Sequence, residues 1–207
     1  MTDLAEPLPT NVEGKELTSR GAATRTRLLE AAESVFAELG YHDASIVKIT
    51  EHAGVAQGTF YLYFAGKRQI FDELVRDLNG RIRHAMREGS SQGANRLQAE
   101  LLGFQAYFRF TSEHPALYRI IRQAEFVSPE MLRYHYDRLS EGYIVALRAA
   151  SQSGEIAELD AEVAAFALMG MGELIGMRWI LWGDGPLPER VTVELGRLIA
   201  RILEADR

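Results

Sequence analysis

The chain has 207 residues, 47% of them apolar and 25% charged, and it contains no cysteine. This length supports one large or two small domains around a sizeable core, and the lack of cysteine excludes disulfide frameworks and thiolate metal sites. A formal net charge of −6 argues against a protein that coats nucleic acid without regard to sequence.

Residues 1–18 are rich in proline, glutamate and small polar residues with no apolar period, which predicts a flexible arm. No basic stretch followed by an apolar run occurs there, so a secretion signal is not expected and the cytoplasm is the expected compartment. Leu28, Leu29, Ala32, Val35, Phe36 and Leu39 repeat with helical period and predict a helix over about 22–39. Gly40 stops it. Arg20, Thr24 and Arg25 at its start are candidates for phosphate contact beside a positive helix end. A solvated first turn explains them equally well.

The next stretch, SIVKITEHAGVAQGTFYLYFAGK from Ser45 to Lys67, carries the strongest signal. Ser45 is a good N-cap, and Ile46, Ile49 and Ala53 give one apolar face. Gly54 suits a left-handed helix end. A second helix over about 57–64 shows Thr59, Tyr61 and Tyr63 beside Phe60 and Phe64, which are assigned to the core. Helix, glycine turn and polar-aromatic helix make a helix-turn-helix, whose second helix enters the DNA major groove. Residues 15–85 hold ten Lys/Arg against nine Asp/Glu, so the acidity of the chain lies elsewhere.

These residues resemble the signature of the tetracycline-repressor (TetR) family of bacterial regulators, I-A-x-x-A-G-V-S-x-G-T-L-Y-x-Y-F-x-x-K. Ala53, Gly54, Val55, Gly58, Thr59, Tyr61, Tyr63, Phe64 and Lys67 match it in spacing. Phe60 stands where leucine is usual, and Leu62 where relatives often carry a polar residue. The resemblance is specific over about residues 19–85. It implies an all-α fold of about nine helices, with an arm (1–18), a helix-turn-helix DNA-binding domain (19–66) and a ligand-binding and dimerisation domain (67–207).

A long helix is expected over about 67–88, with Ile70, Phe71, Leu74, Val75, Leu78 and Ile82 on its core side. In the resembled family it links the DNA-binding part to the rest. The loop GSSQGAN follows. Further helices are expected over about 96–112, ended before His114-Pro115, over 116–124, from Pro129 to about 152, from an Asp160 cap to about 181, and over 189–205. GDGPLP turns the chain before the last one. The apolar run Val163–Trp182 is broken by Glu173 and Arg178, a poor membrane span. Val191, Leu195, Leu198 and Ile202, with Ile199 and Leu203 beside them, read as a dimer seam. Gly170, Gly172 and Gly176 read as a close helix approach.

The resemblance implies a homodimer on a pseudo-palindromic double-stranded DNA operator. Gln57 and Thr59 fall at its base-reading positions, where Gln pairs with adenine and Thr with several edges. Gly58 permits close backbone approach. Tyr61, Tyr63 and Lys67 are candidate phosphate contacts, and Ser45 and Lys48 add two more. A small, mostly hydrophobic effector is implied between residues 96 and 181. Candidates for its pocket are Phe104, Tyr107, Phe108, Tyr118, Phe126 and Tyr134. Tyr143, Phe166, Met169 and Trp179 complete them, although each is more often plain core. Arg119, Arg122, Arg133 and Arg178 are the cations for an anionic head, with Arg178 favoured because an arginine in so apolar a helix needs a partner. Such a cavity suits a hydrophobic acid or an acyl thioester, and "HPALYRIIRQAEF" is similar to regulators that sense acyl-CoA esters. No catalytic motif occurs, the five histidines lack metal-ligand spacing, and no cofactor is expected. A ligand-free DNA-binding activator or architectural protein, and a small-molecule-binding protein that has lost DNA binding, stay open.

Overall fold

The computed structural model describes residues 10–183 and 185–203. Among the described residues nine α-helices run in order: α1 Ser19–Asp43, α2 Ile46–Ala53, α3 Gln57–Phe60, α4 Lys67–Ser90, α5 Arg96–Glu113, α6 Ala116–Val127, α7 Pro129–Gln152, α8 Ala161–Gly176 and α9 Glu189–Leu203. A π-helical turn, Met177–Leu181, continues α8. The expectations for residues 1–9, Asp184 and the helix end beyond Leu203 lie outside the described residues. Residues 10–17 form a turn instead of a free arm. Asn11 Oδ1 accepts from the Glu13 and Lys15 amides at 3.0 and 2.8 Å, and the Val12 amide donates to the Leu62 carbonyl at 3.1 Å.

The caps follow the local chemistry. The Thr18 side chain accepts from the Gly21 amide, Ser45 from Lys48, Asn95 from Gln98, and Asp160 from both Glu162 and Val163, each satisfying an orphan first-turn donor. Gly54 ends α2 at φ 65°. Gly40 at φ 75° breaks α1 where the sequence stops the helix, and a further turn runs on to Asp43. The α3 helix is shorter than expected. After Phe60, the Leu62 and Tyr63 amides bond three residues back, which tightens the chain out of α geometry.

Helix α4 is the shared axis. Ile70, Phe71, Leu74, Val75, Leu78 and Ile82 are fully buried, with Phe36, Ile49 and Phe60 of α1–α3 and Phe64 just after α3 in the same continuous core as Phe104, Tyr107 and Ile120. At Gly89 the backbones of α4 and α5 touch closely enough that a Cβ would collide with the Leu102 carbonyl. Helix α8 and its π-turn, Ala161–Leu181, are apolar and long enough to cross a membrane by composition alone, but α8 packs on α5 and α7.

Two sequence expectations about the last helices change. Val191, Leu195, Ile199 and Leu203 of α9 are buried within this chain, with α9 against α5, while Leu198 is exposed and Ile202 half-buried. The presumed seam is therefore split between inside and outside. Gly172 and Gly176 face aromatic rings of the same chain. A Cβ on Gly172 would lie 3.1 Å from Phe104 Cε1, and one on Gly176 would overlap the Tyr118 hydroxyl. Only Gly170 of the three faces open space.

Lys67 also differs from expectation. Its ammonium donates to the carbonyls of Tyr41 (2.7 Å), His42 (3.3 Å) and Ala44 (2.8 Å), and sits 4.5 Å from the Tyr41 ring centroid. These carbonyls belong to the end of α1 and its link to α2, so the lysine closes a helix end and its charge is already engaged. Lys67→Met should lower stability by about 2 kcal/mol, read as a reduced urea midpoint. A lysine engaged only with DNA would leave that midpoint unchanged.

A buried polar pair ties α4 to α7. Asn79 Nδ2 donates to His135 Nδ1 at 3.1 Å and to the His135 carbonyl at 3.0 Å, and Asn79 has no exposed surface. Burial lowers the His135 imidazole from 6.5 to about 4, so it stays neutral at pH 7 and accepts at Nδ1. The unfolded chain binds this proton near 6.5 and the folded chain only near 4. Stability is thus complete above pH 6.5 and falls as pH drops towards 4, by about 3 kcal/mol for this group. In urea titrations between pH 7.5 and 4, His135→Gln should remove that share of the acid loss.

Candidate DNA-reading surface and effector cavity

The helix-turn-helix residues cluster on one outer face. Gln57 and Gly58 are exposed, a Cβ on Gly58 would meet nothing within 4 Å, and Thr59 is half-buried beside them. Tyr61 is 48% exposed and Tyr63 half-buried, while Phe60 and Phe64 are fully buried. Phe60 and Phe64 anchor this segment in the core, and the Phe60 ring lies edge-on to Tyr61. Lys48 is exposed, with its ammonium 3.3 Å from the Asp43 carbonyl, and Ser45 serves as the α2 cap.

An open polar groove of about 390 Å³ lies between the start of α1 and α3, lined by Thr18, Arg20, Thr24, Arg27, Thr59 and Tyr63 among others. Of the first-helix candidates, Arg20 lines the groove and Arg25 does not. The Arg25 guanidinium pairs with Glu73 at 2.8 Å and lies over the Phe64 ring. Thr24 is buried, with its hydroxyl donated to the Arg20 carbonyl. Arg27, which sequence reasoning passed over, is the second groove cation. Its position three residues after Thr24, on the same helix face, was the available signal.

The second site is a narrow cavity of about 40 Å³ within α4–α8. Of the candidates, Phe104, Tyr107, Tyr118, Tyr143 and Met169 line it, joined by His135, Tyr136, Gly172 and Glu173, which the sequence reading did not name. The other candidates lie elsewhere. Phe108 is buried in neighbouring core, and Phe126 is 82% and Phe166 44% exposed. Tyr134 packs under the Arg76 guanidinium.

The expected cations are also absent from the wall. Arg178 is exposed and lies over the Trp179 ring, which Arg190 covers as well. Arg122 Nη1 stands 3.8 Å from Met177 Sδ, and Arg119 donates to the Ala37 carbonyl. Arg133 is exposed. The lining carries no Lys or Arg. Its polar groups are phenols, the His135 imidazole and the Glu173 carboxylate, which accepts from the Tyr136 hydroxyl at 2.8 Å. Burial, then the Glu173 charge, raises the Tyr136 phenol far above its usual range. Burial likewise raises Tyr107 and Tyr143. All three phenols are therefore neutral hydrogen-bonding groups near pH 7.

The cavity wall is continuous with the α1–α4 group. Helix α6 gives Leu117, Tyr118 and Ile121 to the cavity. Elsewhere on α6, Gln123 Oε1 accepts from the Tyr41 amide at 2.6 Å and Gln123 Nε2 donates to the Phe36 carbonyl at 3.2 Å. One side chain thus spans the Gly40 break. Arg68 of α4 donates to Ser128 Oγ at 2.7 Å and pairs with Glu130 at the start of α7.

A sequence model of bacterial regulatory proteins of the tetR family matches residues 28–74. The HTH-type transcriptional regulator YdgC of Bacillus subtilis is 34% identical over 170 residues, which is 80% of this chain and 85% of that protein. The fatty acid metabolism regulator protein of the same organism is 30% identical over 161 residues, 75% of this chain and 82% of its own. Among solved structures, FadR from Bacillus subtilis in complex with stearoyl-CoA superposes with a TM-score of 0.71 at 26% identity, covering 84% of this chain and 96% of FadR. A TetR family regulator from Marinobacter aquaeolei shares the fold, with a TM-score of 0.76 at 20% identity over 92% of this chain and all of that one. The relatives are transcriptional regulators, and this chain belongs to the TetR family of DNA-binding transcriptional regulators.

Proposed function

We propose that the chain is a homodimeric repressor that leaves its operator when a long-chain acyl thioester fills the cavity between α4 and α8. The carrying observation is the cavity itself, which is apolar and phenolic and lacks any lining cation. The fatty acid metabolism regulator and the FadR complex with stearoyl-CoA support the same ligand class. Residues 19–66 form the DNA-binding head and residues from 67 onward the effector and dimer body. The protein acts in the cytoplasm, where its operator is.

In the head, Gln57 and Thr59 read base edges, Gly58 lets the backbone approach the groove, and Tyr61 and Tyr63 bond phosphates. Ser45 and Lys48 flank them, and Arg20 and Arg27 supply phosphate contacts in place of Lys67. Gln57→Ala should relax preference at one base position while retaining the salt slope. Tyr61→Phe should weaken all duplexes uniformly, by about tenfold or less. Binding titrations over a panel of single-base operator variants separate the two.

The dimer surface is the exposed apolar stripe Val163, Phe166, Leu174 on α8, with Val193 and Leu198 on α9. Gly170 lies between the α8 residues with open space before it, which allows a partner backbone to approach. Leu174→Glu should yield monomers in sedimentation velocity at micromolar concentration and lower operator affinity at least tenfold, since one head grips one half-site. A dimer that persists in that variant rules this surface out.

Ligand release has a structural route. An acyl chain that displaces α6 and α7 moves Gln123 against the α1 break, and moves His135 and Ser128 against α4. The effector prefers the displaced arrangement, because equal affinity for both would shift nothing. Operator binding followed by fluorescence anisotropy should fall on adding stearoyl-CoA. An unchanged signal at saturating thioester refutes the proposed effector.

A further inference from the structure

Five residues of α8 and its π-turn stand four apart in sequence: Glu162, Phe166, Gly170, Leu174 and Arg178. That spacing makes them one ridge along a helix surface. Phe166 and Leu174 are exposed, and the ridge has an exposed carboxylate at one end and an exposed guanidinium at the other. The neighbouring row, Val163, Ala167, Met171 and Ile175, is apolar and none of it is buried. The buried residues of α8, Ala161, Ala164, Ala165, Leu168, Gly172 and Gly176, occupy the opposite side.

Two features of the ridge have no use within one chain. Gly172 and Gly176 make room for Phe104 and Tyr118, but a Cβ on Gly170 would meet nothing within 4 Å. A glycine inside a helix weakens it relative to alanine, and here no internal neighbour requires one. The end charges are the second feature. Neither Glu162 nor Arg178 has an ion-pair partner among the described residues. Arg178 lies over the Trp179 ring, an arrangement that leaves the donors at the guanidinium edge available. Arg190 covers the same ring and adds a second positive charge to that end.

Reversed about Gly170, the ridge is its own complement. Position 162 falls on 178, position 166 on 174, and position 170 on itself. We propose that this ridge selects a second copy of the chain, pairing the two α8 helices antiparallel across a two-fold axis at Gly170. Glu162 of each copy then meets Arg178 of the other, and Phe166 meets Leu174. An interface of this kind is self-complementary by symmetry. Ridges with this spacing cross at about −50°, and the missing Cβ lets the helices approach at the crossing point. A parallel pair would set carboxylate on carboxylate and guanidinium on guanidinium, so one row of residues fixes orientation, register and partner together. The proposal rests on the dimer surface given above and specifies its geometry.

The chain has no cysteine, so an introduced one reports a single contact. Gly170→Cys should cross-link to itself on mild oxidation, because a disulfide needs Cα atoms within about 7 Å. Leu174→Cys should not cross-link to itself but should do so when mixed with Phe166→Cys. In sedimentation equilibrium at low salt, Glu162→Arg and Arg178→Glu should each weaken the dimer about tenfold. Both changes in one chain should restore it, and an equimolar mixture of the two single variants should form heterodimers in preference to either homodimer. A wild-type dimer with no cross-link at 170, or one indifferent to both charge reversals, overturns the ridge pairing and leaves the dimer reading standing. A wild-type chain that is monomeric at tens of micromolar refutes that reading, and the pairing with it.

Discussion

Helix α4 belongs to two packed regions at once, and the rest of the structure is arranged around that constraint. Its fully buried residues, from Ile70 to Ile82, meet α1 at one end and α5–α7 along its length. Close-packed interiors move between discrete arrangements and do not deform smoothly. A shift of the body against α4 therefore reaches the head as a displacement of whole helices. The contacts at the ends of α4 reinforce this. Lys67 fastens its start to the end of α1 through three carbonyls. Gly89 brings its last turns against α5, where a Cβ would not fit.

A second linkage runs through α6, and its chemistry differs. Where α1 breaks at Gly40, φ 75° suits glycine and leaves local backbone groups without helical partners. Gln123 supplies both an acceptor and a donor across that break. The head is thus completed by a side chain from a helix that also walls the cavity. Apolar contacts alone would let α6 slide along α1, whereas a two-ended amide fixes the register. Arg119, four residues earlier on the same face, adds a third bond at the Ala37 carbonyl.

Features governed by short-range rules were legible in the sequence. The Ser45 cap, the left-handed Gly54, the Gly40 stop and the buried faces of α1 and α4 depend on neighbours within a few residues, so periodicity and capping chemistry expose them. The α4–α8 cavity depends on which helix faces meet, which no single helix encodes. Tyr136 and Glu173 look like solvent-facing positions of amphipathic helices until α7 and α8 bring them to 2.8 Å. Phe126 and Phe166 show the converse error, since large aromatics suggest interior and these two face outward. The glycines of α8 were read as a close helix approach, whereas what fills the space at 172 and 176 is the Phe104 and Tyr118 rings of the same chain. Arg178 was expected to seek an anion, yet at a surface position the Trp179 ring supplies its neighbour.

The size of the cavity bears directly on how a ligand can act. About 40 Å³ holds a few waters, far less than a long acyl chain displaces. Such a chain cannot enter the present packing of α4–α8 and must bind a rearranged one. For the proposed acyl effector that mismatch would generate differential affinity, because the ligand would gain its apolar contacts only after the helices had moved. The displaced helices are also those that carry Gln123, His135 and Ser128, the residues bonded to α1 and α4. A roomy, preformed cavity would bind the same chain more readily and transmit less. On the proposed reading, the tightness that makes the site difficult to recognise is what would couple it to the DNA-binding end.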